Sequence, residues 1–183
     1  MSNRQYLSCA ETAKLVRAAL KESFPGVKFS VKSSVYSGGA SIAIRYIDGP
    51  NIDQVKAVTS MFEGSYFDGM TDYKGSNYSS LDGQEVRFGA DFIFINRDFS
   101  AEYLTSEVAA ACAYFGYPMP QITKPEGYGA YIADRLDYET MNRIYSRTGK
   151  ASLCVTSPSA TLARVGFLGD DGYGYGAVGR LAA

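Results

Sequence analysis

Apolar residues recur at intervals of three and four near the start of the chain, which is the period of a helix with one buried face. The stripe consists of Cys9, Ala13, Val16, Leu20 and Phe24. Ser8 and Glu11 stand at the spacing of a capping box, in which hydroxyl and carboxylate each accept a hydrogen bond from a backbone N–H of the first turn. Pro25 cannot continue a helix. The pattern therefore predicts a helix that begins at Ser8 and ends near Phe24.

Strict alternation of apolar and polar residues follows this helix. Valine and phenylalanine alternate with lysine and serine over residues 27–32, and a second apolar series with the same period covers residues 40–46. A period of two is typical of a strand with one buried face. The intervening segment 36–39, YSGG, is typical of a turn. We expect the two strands to form a hairpin.

A second helix is predicted after residue 50. Asn51 and Gln54 repeat the capping pattern, and apolar residues continue at helical spacing as far as Phe62. The following stretch, residues 65–82, is rich in serine, glycine, tyrosine and aspartate and predicts a long exposed loop. Loops of this length in compact domains are often functional.

One more strand and one more helix complete the first part of the chain. Apolar residues alternate over 86–95 and predict a third strand. Ser100 stands where it would cap a third helix, which the sequence Gly116-Tyr117-Pro118 would end. The sequence thus predicts an α+β fold with a helix–strand–strand–helix–strand–helix core and a small antiparallel sheet.

The character of the chain changes after residue 116. Three prolines and three glycines between residues 116 and 130 predict an extended connection. We therefore expect two units, an α+β domain at residues 1–116 and a Pro/Gly-linked C-terminal extension at residues 117–183. The elements expected in the extension are a helix at 137–147 with Tyr138, Met141 and Tyr145 on one side, strands at 151–156 and 161–168, and a glycine-rich, mobile end.

The amino-acid composition excludes several classes of function for this protein. The formal net charge of the 183 residues is −1, so the whole molecule neither imitates DNA nor binds it as a general polycation. Histidine does not occur, which excludes Ser-His-Asp catalysis and histidine metal sites within the chain. The three cysteines are widely spaced and predict buried thiols rather than a disulfide framework.

Candidate chemistry is sparse. The carboxylates Glu63, Asp68 and Asp72 lie close in sequence and either pair as acid and base in a cleft or are solvated loop charges. The glycine-rich segments lack the spacing of a phosphate-binding loop. We expect no cofactor, no metal site and no enzymatic activity.

Basic residues form the one patch with a functional interpretation. Residues 1–35 contain six lysines and arginines and two acids, a charge of +4, whereas residues 36–96 carry −4. Helix and strand periodicity place the basic residues on one surface, and Tyr36 lies in the adjoining turn. The candidate binding residues for a partner or nucleic acid are Lys14, Arg17, Lys21, Lys28, Lys32 and Tyr36. The alternative is a solvated helix face that serves solubility.

Three segments carry a family resemblance. They are CAETAKLVRAALKESFPGVKFSVKSSVYSGGASIAIRYIDGP, QVKAVTSMFEGSYFDGM and VRFGADFIFINRDFS. Together they resemble the large polyvalent protein associated domain 29 family of phages, plasmids and integrative elements, over residues 8 to about 116. The resemblance implies a mobile-element context and gives no catalytic residue to transfer.

These observations lead to a functional hypothesis. We expect a mobile-element or phage accessory protein that binds and inhibits a host defence complex of the CRISPR or restriction type. The alternative is a nucleic-acid-binding module that uses the basic helix and strand. The N-terminus has no apolar signal segment and no run of apolar residues suffices for a membrane span, so we expect no membrane partner and a location in the cytoplasm of a bacterial host.

Overall fold

The structure is a computed structural model that describes residues 4–173 of the chain. These residues form an α+β fold with five α-helices and ten strands, which confirms the predicted class. The helices are α1 (Cys9–Ser23), α2 (Ile52–Thr59), α3 (Ala101–Phe115), α4 (Tyr138–Lys150) and α5 (Ala160–Ala163), and a 3₁₀ helix, Ser60–Phe62, follows α2. The strands are β1 (Gln5–Leu7), β2 (Ser30–Tyr36), β3 (Gly39–Ile47), β4 (Ser65–Asp68), β5 (Tyr73–Leu81), β6 (Gln84–Phe88), β7 (Phe92–Asp98), β8 (Ile122–Thr123), β9 (Tyr131–Ile132) and β10 (Val165–Asp170).

The predicted helix starts are confirmed by their caps. The Ser8 hydroxyl accepts from the Glu11 backbone N–H, and the Glu11 carboxylate accepts from the Ser8 N–H at 2.8 Å. Asn51 and Gln54 make the same reciprocal pair before α2. The Ser100 hydroxyl accepts from a backbone N–H of α3. Each cap satisfies N–H groups that a helix cannot pair internally, so these short motifs determine where the helices begin.

A three-stranded sheet, in the order β2-β3-β7, contains the predicted hairpin. β2 and β3 are antiparallel, with Ser30 opposite Arg45 and Tyr36 opposite Gly39. β3 and β7 are parallel, so the expectation of a purely antiparallel sheet is wrong and the sheet is mixed. The physical reason is the long connection between them, because α2 and β4 to β6 carry the chain back before β7 begins.

The predicted loop at residues 65–82 is wrong, because this stretch contains the whole of β4 and β5. They belong to a five-stranded sheet in the order β1-β6-β5-β10, in which β4 also pairs with β5. The buried side chains of β5 are small or polar, among them Gly75, Asn77 and Ser79. The Tyr66 ring lies over Gly75, where a Cβ atom would come within 2.2 Å of it. An inner face of this composition lacks the apolar alternation that identifies a strand.

The single strand predicted at residues 86–95 is two strands in different sheets. The chain leaves β6 of the five-stranded sheet at Phe88 and enters β7 of the three-stranded sheet at Phe92. Gly64 connects the segment between β6 and β7 to β5. Its N–H donates to the Ala90 carbonyl at 2.7 Å, and its carbonyl accepts from the Asn77 N–H at 3.0 Å. The two sheets are therefore connected by backbone contacts as well as by side chains.

Two hydrophobic clusters occur in the described residues. All fully buried members of the first cluster lie between residues 7 and 93, where α1 and α2 cover one face of the three-stranded sheet. Cys154, Leu162 and Val165 of the predicted extension pack against this cluster. The second cluster combines α3 with α4 and the β8–β9 region, so α3 shares its core with the extension. Independent folding of residues 1–116 stays a prediction.

The predicted elements of the extension are partly confirmed. The helix at 137–147 is α4, capped by Asp137, but its buried side chains are Ile144 and Thr148, whereas Tyr138 is 86% exposed. These two buried residues lie beside the predicted row of Tyr138, Met141 and Tyr145, of which Met141 packs against the second cluster. The strand at 161–168 is replaced by α5 followed by β10. The glycine-rich end was expected to be mobile, and residues 174–183 lie outside the described residues.

No strand occurs at residues 151–156, so that expectation is wrong. The segment is held by single contacts to other elements, because the Leu153 N–H donates to Gly49 and the Gln54 side chain donates to the Cys154 carbonyl. These partners lie in a loop and a helix, and neither offers the regular row of backbone groups that a strand requires.

Arg97 at the end of β7 holds the chain after α4 close to the point where the segment between residues 100 and 151 begins. Its guanidinium donates to the Asp48 and Gly49 carbonyls on one side. On the other side it donates to the Gly149 and Ala151 carbonyls, at 3.3 and 2.8 Å. The chain thus departs into α3 and returns after α4 at the same place.

Candidate functional site

The face of the three-stranded sheet opposite α1 and α2 is open. In β3, alternate residues from Ala40 to Tyr46 are buried in the first cluster, so the intervening side chains lie on the opposite face. The register places side chains of β2 and β7 beside them. We call this surface the outer face, and it consists of Ser30, Lys32, Ser34 and Tyr36 of β2, Ser41, Ala43, Arg45 and Ile47 of β3, and Phe92, Phe94, Asn96 and Asp98 of β7.

Large apolar side chains are exposed on the outer face. Ile47 is 58% exposed, Phe94 55% and Tyr36 50%. Ala43 pairs with Lys32 on one side and with Phe94 on the other, so these three residues form a row across the strands. The small Ala43 side chain does not cover the phenylalanine ring. Exposed aromatic and aliphatic side chains with a polar surround are typical of an interaction surface.

Four cations and two carboxylates give the outer face and its edges a net charge of +2. Arg45 lies 3.6 Å from Asp98, and Lys74 of the neighbouring sheet lies 2.8 Å from Asp91 and 5.8 Å above the Phe92 ring. The two remaining cations are Lys28 and Lys32, and neither is in an ion pair among residues 4–173. Their charges are available to an anionic partner.

Asp91 connects the outer face to the five-stranded sheet. Its carboxylate accepts hydrogen bonds from the Ala40 N–H at 3.0 Å and the Ser65 hydroxyl at 2.9 Å, besides the Lys74 ammonium. Burial raises the pKa of this carboxyl, but the hydrogen bonds from Lys74, Ala40 and Ser65 outweigh burial, and the net effect is a lowered pKa. Asp91 is therefore ionised near neutral pH and fixes the start of β7.

A cleft of about 690 Å³ lies at one end of the outer face. Arg45 and Ile47 belong to both the cleft and the outer face, and Lys28 and Phe29 form part of its rim. The rings of Phe29 and Tyr46 contact each other with centroids 5.0 Å apart. An apolar wall with a few charged groups is the usual composition of a ligand-binding cleft.

The six predicted site residues are all exposed, and the structure separates them into two groups. Lys32 and Tyr36 lie on the outer face, and Lys28 lies in the adjoining cleft. The other group consists of Lys14, Arg17 and Lys21 on α1, which packs against the opposite side of the sheet.

Arg17 lies at the boundary between these two groups, since its guanidinium donates to the Val31 carbonyl of β2 at 2.9 Å. A single flat cationic surface is therefore not formed, because the edge of the sheet divides the basic residues. A binding role for either group stays a prediction.

Sequence reasoning missed Arg45, Ile47, Phe92 and Phe94 of the outer face, and Lys74 at its edge. The outward position of Arg45 follows from the alternation in residues 40–46, so that signal was present. The exposure of Phe94 depends on the pairing of β7 with β3, and its partner Ala43 lies just over fifty residues earlier in the chain. No local pattern contains that information.

The three loop carboxylates have different surroundings. A Glu63 oxygen accepts from the Ile93 N–H at 2.8 Å, and an Asp68 oxygen accepts from the Met70 N–H at 2.9 Å. Asp72 is exposed and has a positive φ of 51° in the turn before β5. Glu63 and Asp68 thus stabilise backbone conformations of separate segments.

The cysteines have no activating environment in the described structure. Cys9 and Cys112 are buried and Cys154 is half-buried. Burial raises the pKa of all three thiols, so they remain protonated near neutral pH. Residues 4–173 also contain no cluster of three acidic or cysteine side chains that could hold a metal ion. No helix in this range has the length and apolar character needed to cross a membrane.

A comparison with protein families identifies the class of protein. The profile of the large polyvalent protein associated domain 29 family matches residues 7–100, slightly more than half of the chain. The chain belongs to this family and is a phage- or mobile-element-associated protein. The match contains the whole outer face and ends at the Ser100 cap, whereas the expected resemblance extended to about residue 116. No curated protein and no solved structure matches the chain.

Proposed function

We propose that this chain is a mobile-element accessory protein that acts by binding rather than by catalysis. Its target is a host defence complex, of the CRISPR or the restriction type. Family membership supplies the mobile-element context. The observation that carries the proposal is the outer face, where Phe94 and Ile47 are more than half exposed beside lysines that make no ion pair within residues 4–173.

The outer face has the composition of a macromolecular interface. Exposed aromatic and aliphatic side chains supply the area that becomes buried on binding, and a surround of cations supplies orientation and specificity. The Phe94 side chain is directed to solvent, although Phe94 lies near the middle of the β3–β7 pairing, opposite Ala43. A phenylalanine at such a position contributes little to the stability of the free protein and much to an interface.

A phage infection assay tests the proposal. The protein is expressed in bacterial strains that carry one defined CRISPR or restriction system, and phage plating is compared with a strain without that system. We expect the wild-type protein to restore plating in the defended strain and the double variant Phe94→Ser, Lys32→Gln to lose most of this effect. The matched control is Tyr138→Ser, because Tyr138 is 86% exposed on α4, away from the outer face.

The outcomes separate clearly. Restored plating that depends on Phe94 and Lys32 but not on Tyr138 supports the proposal. Wild-type protein that leaves both classes of defence intact, or a double variant that protects as well as wild type, contradicts it. Thermal unfolding of each purified variant establishes that the substitutions changed the surface and not the fold.

The second candidate is a nucleic-acid-binding module that uses the basic residues of α1 and β2. The observation that favours it is the exposure of Lys14, Arg17 and Lys21, none of which is in an ion pair within residues 4–173. Binding through phosphate contacts falls steeply as salt rises. Replacement of all three by glutamine should therefore weaken binding and reduce its salt dependence.

A further inference from the structure

The outer face combines the two features that a nucleic-acid strand with unpaired bases requires. We propose that it binds single-stranded nucleic acid, with bases stacked on Phe94 and Tyr36 and phosphates beside Lys32 and Lys28. The inference rests on the proposed function only in taking the outer face as the interaction surface. It adds the chemical class of the ligand.

The row Lys32–Ala43–Phe94 has the spacing that a nucleotide needs. Neighbouring strands lie about 4.8 Å apart, so the backbones of β2 and β7 are separated by roughly 10 Å at this row. Ala43 leaves the space between the lysine and the ring unoccupied. A base that lies on the Phe94 ring can therefore have its phosphate within reach of the Lys32 ammonium.

The rest of the surface extends this arrangement in both directions. In the next row, Ser34 and Ser41 are small, and the Phe92 ring lies beneath the Lys74 ammonium. Tyr36 supplies a second half-exposed ring at that end. At the other end Arg45 leads into the cleft of about 690 Å³, where Lys28 provides another cation and Phe29 an apolar wall. A strand of several nucleotides would cross the sheet and place one nucleotide in the cleft.

Charge and ring exposure together favour a single strand over other partners. The carboxylates Asp91 and Asp98 are each paired with a cation, which leaves Lys28 and Lys32 as net positive charge. Duplex bases have their flat sides covered by their neighbours, whereas single-strand bases can stack on aromatic side chains. Such stacking tolerates any base, so we expect little sequence preference.

The test uses the full-length protein and fluorescently labelled oligonucleotides about 12 nucleotides long. They are oligo-dT, oligo-U and a mixed-sequence duplex. Fluorescence anisotropy gives the affinities between about 50 and 200 mM salt. We expect both single strands to bind more tightly than the duplex and to weaken as salt rises. Phe94→Ser should lower the affinity about tenfold, and Lys32→Gln should reduce the salt slope by roughly one ion.

Tyr138→Ser serves again as the aromatic control and should bind like wild type. Phe94 is exposed, so its replacement should leave the thermal unfolding curve unchanged. If Phe94→Ser unfolds, Tyr36→Ser and Lys32→Gln carry the test, because both residues are also exposed.

Three results would overturn the inference. The first is no binding to any oligonucleotide at the lowest salt. The second is equal affinity for single strand and duplex. The third is binding that is lost when Lys14, Arg17 and Lys21 are replaced but is unchanged when residues of the outer face are replaced. If a purified defence protein binds the outer face and no oligonucleotide does, the first result applies and this inference fails, while the proposed function stands. The failure of the inference can therefore be told apart from the failure of the proposed function.

Discussion

Replacement of Gly64 by alanine should destabilise the protein strongly. A Cβ atom at this position would lie 2.1 Å from the Phe88 carbonyl oxygen, whereas real Cβ contacts are almost never under 3.0 Å. The backbone would have to move by about 1 Å, but the N–H and carbonyl of Gly64 are bonded to Ala90 and Asn77. Overpacking costs about 1–3 kcal/mol and each weakened hydrogen bond about 1 kcal/mol, so the expected loss is about 3–5 kcal/mol.

Urea unfolding followed by circular dichroism measures this loss. The natural stability of domains is about 5–15 kcal/mol, so Gly64→Ala should unfold at a much lower urea concentration. Gly69→Ala is the matched control, because Gly69 is exposed and no atom lies within 4 Å of its Cβ position. The control should remain within about 0.5 kcal/mol of wild type. A Gly64→Ala protein as stable as the control would refute the close junction between the two sheets.

Three further predictions concern the core, a buried hydroxyl and acid stability. A fragment that ends at Tyr117 should keep native-like circular dichroism, because every buried member of the first cluster lies at or before residue 93. It should also bind a hydrophobic dye through the uncovered side of α3, and an unfolded spectrum would contradict the prediction. Burial, partly offset by Arg97, raises the pKa of Tyr46 to about 12, and the Tyr46 hydroxyl has no hydrogen-bond partner within residues 4–173. Because Tyr46→Phe removes no hydrogen bond, it should lower the free energy of unfolding measured in urea by less than about 1 kcal/mol. The pKa of Asp91 is lowered in the folded state, so its carboxylate contributes stability above about pH 4, and this contribution is lost as the pH falls through the folded-state pKa. Asp91→Asn should therefore lower the stability near neutral pH and make the stability fall less steeply in acid. An unchanged profile of stability against pH would contradict this prediction.

The sequence predicted well the elements whose signals are local. The helices α1 to α4 each begin at a serine, asparagine or aspartate whose side chain caps the first turn, and these contacts span only three residues. The β2–β3 hairpin is equally local, since its turn separates the strands by two residues. The periodicity of α1, α2 and the hairpin arises from packing in the first cluster, and that of α3 and α4 from packing in the second.

The missed elements depend on distant partners. β5 has small and polar buried residues because Tyr66 and neighbouring strands fill the space above it, so its sequence resembles a loop. β10 pairs with β5 across more than eighty residues, and the parallel pairing of β7 with β3 is also long-range. The candidate site was predicted in part for this reason: Lys32 and Tyr36 follow from a local strand, whereas Phe94 follows from the parallel register.

The contacts of Arg97 with the Gly149 and Ala151 carbonyls bring the two ends of the segment from 101 to 150 to one place. A segment whose ends meet at one point can be lengthened, shortened or exchanged while the remainder keeps its contacts. α3 and α4 bury their apolar sides mainly in a cluster of their own, and the family match ends at Ser100, where the segment departs. We therefore expect relatives that share residues 7–100 to carry unrelated insertions at this position on a sheet of the same shape.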